Sequence, residues 1–111
     1  MATLELRFLG DFDVRRDGLS QALPPSRKTR ALIAYLALQP RRFSRDQLCQ
    51  LLWEVPDDPR GSLRWSLSKL RALLDDDVHT RVSADRLAVG LVLPDTAIDV
   101  LELRQLLAQG L

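Results

Sequence analysis

The chain has a single cysteine and a single histidine among its 111 residues. A lone Cys49 excludes an intrachain disulfide and fits a reducing compartment. Beside His79 there is no nucleophile–base pair and no metal-ligand spacing, so an enzyme is set aside and neither metal nor cofactor is expected. No apolar run approaches the ~20 residues of a membrane span, and the N-terminus lacks a signal-peptide profile. The expected location is the cytoplasm. Internal repeats and low-complexity tracts are missing too. Net charge is only +1, so the total does not announce a polyanion binder.

What is present is an ordinary globular composition, 46% hydrophobic and 28% charged. The length suits one domain with a real core. Charge is unevenly spread. Arg15, Arg16, Arg27, Lys28, Arg30, Arg41, Arg42 and Arg45 face only Asp17 within residues 15–45. Asp46, Glu54, Asp57 and Asp58 follow, then Arg60, Arg64, Lys69 and Arg71, then Asp75 to Asp77. A near-neutral chain so arranged can present a basic face. The alternative is that these side chains merely solvate helix surfaces.

Leu4, Leu6 and Phe8 alternate with charged residues, as do Phe12 and Val14, which predicts half-buried strands joined by a Gly10-Asp11 turn. Asp17-Gly18 predicts a hairpin into a third strand over 19–23. Ser26 caps a helix over 27–38 that packs through Leu32, Tyr35, Leu36, Ala31 and Ala34 and stops at Pro40. Arg27, Lys28 and Arg30 in its first turn have the wrong sign for the helix dipole, which a phosphate would compensate. Ser44 with Gln47 makes a capping box and Phe43 with Leu48 a hydrophobic staple, opening a second helix with Leu48, Leu51 and Leu52 on one side. Cys49 reads as a small packing residue there.

A third helix is predicted over 58–74, with Asp58 as cap and Pro59 at its first position. At roughly 100° per residue, Leu63, Leu67, Leu70 and Leu74 fall in one arc. Arg64, Trp65, Ser68 and Lys69 fall opposite, with Arg60 and Arg71 at the margin. Asp75 to Asp77 read as a solvated helix end rather than a cation site. Residues 81–89 predict a hairpin with Arg86 near its tip, its second strand extending toward Pro94. Asp99 and Glu102 resemble a capping pair for a short leucine helix.

The order is α+β: an N-terminal antiparallel sheet, three helices and a C-terminal β-hairpin wing, that is, a winged helix-turn-helix. The domain is expected over 1–94. Residues 95–111 are expected to be a linker and the start of a following helical domain.

FLGDFDV, KTRALIAYLAL, RRFSRDQLCQLLW and SLRWSLSKLRALL together resemble the DNA-binding head of the bacterial SARP (AfsR-like) transcriptional activators, which is similar to the OmpR-type winged helix. The resemblance covers nearly the whole chain. It implies that the third helix enters the major groove of double-stranded DNA and the wing reaches the minor groove. Arg64, Trp65, Ser68 and Lys69 would then face bases. Arg27, Lys28, Arg30, Arg41, Arg42, Arg45, Arg60 and Arg71 would face phosphates. Arg81 and Arg86 would act from the wing, although RVSADRLAVGL lacks the family's wing aromatic. It also implies homodimeric binding to repeated sites, and RNA polymerase as a partner of the loop after the second helix. A second function class stays open: a protein-interaction winged helix acting through residues 54–58 and the C-terminal leucine helix without DNA.

Overall fold

The computed structural model describes residues 3–39, 41–53 and 58–110. In chain order these form β1 (Leu4–Arg7), β2 (Asp13–Arg16), β3 (Leu19–Ser20), α1 (Arg27–Ala37), β4 (Phe43–Ser44), α2 (Arg45–Leu52), α3 (Pro59–Leu74), β5 (Val82–Ala84), β6 (Ala88–Leu91), β7 (Thr96–Ile98) and α4 (Asp99–Ala108). They gather into two compact units, Met1–Leu23 with Pro94–Leu111, and Pro24–Leu93. The fold is α+β, with four helices and two sheets among the described residues.

The first unit is a four-stranded sheet in the order β3-β2-β1-β7. Leu6 stands opposite Val14 on one neighbour and Ile98 on the other, and all three are buried with Leu4. The alternation thus forms one apolar face, as expected. Three expectations change. The sheet is mixed rather than antiparallel, because β7 pairs parallel to β1. β3 is two residues long, ending well before Leu23. Phe8 and Phe12 lie outside the strands and stack with ring centroids 5.2 Å apart.

Within residues 95–111, Thr96–Ile98 forms the β7 strand at the edge of this sheet. Asp99 does not cap α4; the cap position is Ile98, and no side chain bonds there. The Asp99 carboxylate accepts from Val100 N–H at 2.7 Å in the first turn of α4 and also from the backbone N–H groups of Phe8 at 2.9 Å and Leu9 at 3.1 Å, where β1 ends. A strand end leaves unpaired donors, and this side chain satisfies two of them.

The second unit packs α1, α2 and α3 with the sheet β4-β6-β5. Ser26 accepts from Thr29 N–H, and the Ser44–Gln47 capping box is complete. Each cap answers backbone donors that a helix start cannot pair internally. Asp58 caps α3 from a left-handed conformation (φ 105°), accepting from Gly61 N–H at 2.9 Å. A Cβ on Gly61 would collide with the Asp58 carboxylate, so a side chain there would displace the cap.

The α3 stripe of Leu63, Leu67, Leu70 and Leu74 is buried, joined by Leu73 and Ser66. Each fully buried leucine contributes about 1.5–3 kcal/mol by transfer. On α1, Thr29, Ile33 and Ala37 are buried with Leu32 and Leu36, whereas Ala31 points outward. Leu51 on α2 is also exposed, leaving Leu48 and Cys49 as the buried residues of that short helix. Burial pushes the Cys49 thiol up, consistent with a packing role. Phe43 forms the two-residue strand β4 as well as the staple, pairing Val89 of β6. β6 ends at Leu91 and does not reach Pro94. Pro40 and the loop over 54–57 lie outside the described residues.

Candidate nucleic-acid interface

The leucine stripe turns the other side of α3 outward. Arg60, Arg64, Trp65, Ser68, Lys69 and Arg71 are all exposed there. Trp65 keeps 48% of its surface in solvent, and Lys69 Nζ stands 5.1 Å from its ring centroid. Its indole is therefore about half exposed rather than packed in the core.

Two clefts follow this side of α3. One, of about 560 Å³, is lined by Arg45, Asp58, Arg60, Leu63, Arg64 and Arg86. The other, of about 330 Å³, is lined by Arg45, Arg64, Leu67, Ser68 and Arg71. Arg45 and Arg64 belong to both, so the clefts adjoin. A third, of about 400 Å³, lies where the α1 cap Ser26 meets Trp53, Gly61 and Trp65. The α2 start, the α3 surface and the hairpin tip thus converge on one basic surface, which concentrates positive potential.

Several expected phosphate ligands have partners within the chain. Arg30 Nε donates to Pro24 O at 2.8 Å, and the Arg41 guanidinium lies 4.0 Å from the Phe43 ring centroid. Arg60 pairs with Asp46 at 2.6 Å. Arg42 donates to Asp85 at 2.9 Å and to Ala88 O at 3.0 Å. Arg27 and Lys28 stand exposed at the start of α1, which has no acidic residue in its first turn.

Arg81 is not a wing residue in any accessible sense. It is 3% exposed, donating to Leu74 O at 2.6 Å and to Asp76 at 3.0 Å. Arg86, at the exposed turn, remains on the cleft.

Two residues of the acidic run after α3, Asp75 and Asp76, are built in rather than solvated, whereas Asp77 is exposed. Asp75 accepts from Arg81 and Val82 N–H, and Asp76 from Val78 and His79 N–H. The His79 and Val78 donors, with Arg81, hold the Asp76 carboxyl well below its usual range. Among the described residues no group of three or more His, Cys, Asp or Glu could hold a metal. No helix among them is long and apolar enough to cross a membrane.

No family model and no curated protein matches the sequence. A solved structure does: Mycobacterium tuberculosis EmbR in complex with a low-affinity phosphopeptide, at 27% identity and a TM-score of 0.73. The chain is similar to a SARP-family regulator. The likeness covers 86% of this chain but only 27% of the EmbR chain. It supports a relationship to SARP regulators at the level of this α+β domain.

Sequence reading missed Asp46 and Asp85, whose carboxylates engage arginines at this surface, and Asp76, which holds the buried Arg81. The signal available was local. Asp76 and Asp85 each accept N–H groups two and three residues ahead, the Asx-turn habit of aspartate.

Proposed function

We propose that this chain is the DNA-binding module of a transcription regulator, a winged helix of OmpR type with α3 in the major groove of double-stranded DNA. The observation that carries this reading is the pair of adjoining arginine-lined clefts along exposed α3, with the hairpin residue Arg86 on one and Arg71 on the other. Arg64, Ser68 and Lys69 read base edges, and Trp65 packs on a sugar or a thymine methyl. Arg27, Lys28, Arg45 and Arg71 fix the backbone register, and Arg86 acts from the wing. Arg81 leaves the set because it is buried.

Selection of sites from random duplexes by this chain tests the reading. Enrichment of a motif is expected. No enrichment at ~50 mM salt, where phosphate contacts are strong, overturns it. Arg64→Ala is expected to weaken binding to the enriched site by ~1–3 kcal/mol and relax one base position. An equal loss on random duplex would remove Arg64 from the reading set.

One observation favours a protein partner besides DNA. Leu103, Leu106 and Leu107 of α4 are exposed, and that helix has no buried residue. An RNA polymerase contact through residues 54–58 and a homodimer on repeated sites belong to the same proposal.

A further inference from the structure

Residues 85–87 form the exposed turn of the β5–β6 hairpin, and Leu87 is 79% exposed. A turn with no buried side chain belongs to the least stable part of a fold unless hydrogen bonds hold it. Here they converge on one aspartate. Asp85 Oδ1 accepts from Leu87 and Ala88 N–H, both at 2.8 Å, closing the turn on itself. Asp85 Oδ2 accepts from Arg42 at 2.9 Å. The Asp85 carbonyl accepts from Arg45 Nε at 2.7 Å, and Arg45 N–H donates to Leu87 O at 2.8 Å. The turn is thereby fastened to the β4–α2 junction on the α2 side. The backbones approach closely beside it, since a Cβ on Gly90 would meet Arg42 Cγ at 3.0 Å and Arg41 O at 3.3 Å.

We propose that Asp85 is a positioning residue for DNA recognition, holding the hairpin turn against Arg42 and Arg45 so that Arg86 and Arg45 present their guanidinium groups to one DNA backbone as a preset pair. The inference rests on the DNA-binding reading above. It assigns Arg42 to the hairpin rather than to a phosphate, although its type and place suggest the latter. The Arg42–Asp85 pair is about half exposed, and such pairs contribute little by themselves. The weight lies in the backbone donors that the carboxylate gathers. A loose turn must be ordered when DNA arrives, and that ordering subtracts from affinity.

The sign of the effect separates this from simple electrostatics. Removing a carboxylate beside a polyanion strengthens binding if charge alone acts. Loss of the positioning group weakens it.

The test measures binding of the whole chain to its selected duplex for wild type, Asp85→Ala, Asp85→Asn, Arg42→Ala and the Arg42→Ala/Asp85→Ala double variant. Asp85→Ala is expected to bind about 5–10-fold more weakly, from the ordering of a few turn residues. Asp85→Asn, which keeps an oxygen for the turn N–H groups, should recover much of that loss. The double variant should bind no more weakly than Asp85→Ala, because both changes open the same fastening. Amide exchange at Leu87 and Ala88 should accelerate in Asp85→Ala while α3 keeps its protection. Wild-type binding with Asp85→Ala equal or tighter, or independent additive losses in the double variant, overturns the positioning role alone. If the wild type binds no duplex at ~50 mM salt, the DNA reading fails and this inference with it.

Discussion

Thr29 and Ser66 join α1 to α3 through a 2.9 Å hydrogen bond between hydroxyls with almost no access to solvent. Either hydroxyl alone would be a buried polar group without this partner, and that penalty exceeds what the bond contributes. Thr29→Ala is expected to destabilise the fold by ~1–3 kcal/mol in urea unfolding. Replacing both, as Thr29→Val with Ser66→Ala, should cost less than the sum of the single changes. The two hairpin arginines should separate in the same way. Arg81 is buried on Leu74 O and Asp76, whereas Arg86 is exposed. Arg81→Ala should lower the Tm, and Arg86→Ala should leave the Tm unchanged while weakening duplex binding. A Tm loss in Arg86→Ala of the same size would show that the turn arginine is structural.

The helices were legible because their signals are local and repeat. The capping box of α2 lies within one turn and the leucine stripe of α3 within about three, and both are present. The strands β4 and β7 carry no such signal. Two or three residues are too short for a period, and each forms only because a distant partner offers a free edge. Arginine roles were illegible for another reason. A long flexible cation reaches water, a phosphate or a nearby carboxylate equally well, and the carboxylates on Asp46, Asp76 and Asp85 are brought near only by folding. Those acidic anchors also set a pH response. The turn N–H groups of Leu87 and Ala88, with Arg42, hold the Asp85 carboxyl at about 2 against its usual 3.8. Asp76 is lowered too, chiefly by the His79 N–H. Because both are depressed in the folded chain, their stabilisation is present above pH 3.8 and fades as pH falls through the folded values. Urea midpoints should therefore decline from about pH 4 toward pH 2, and less steeply in Asp85→Asn. A pH-independent midpoint would remove these carboxylates from the account.

At the scale of the whole molecule, the basic surface is smaller than the count of basic residues suggests. Of the eight side chains first assigned to phosphates, Arg30, Arg41, Arg42 and Arg60 have partners within the chain. Arg27, Lys28 and Arg71 remain, with Arg45, whose Nε donates to Asp85 O but which lines both clefts, and Arg86 joins them from the hairpin. With about 0.9 counterions released per phosphate, log K against log salt should slope near about −4.5 rather than about −8. A slope at the steeper value would return the four paired arginines to the phosphate contacts.

The sheet order β3-β2-β1-β7 also sets an order in time. β1 can pair with β2 as soon as both emerge from the ribosome, but its other edge has no partner until Thr96–Ile98 is made. At roughly 5–20 residues per second, the intervening chain takes on the order of 5–20 s to synthesise. Throughout that interval β1 offers an open strand edge, the feature by which nascent chains pair with one another. Chains ended before Thr96 should accordingly aggregate more readily than the whole chain, and the β7 strand acts as the late closure of an early edge.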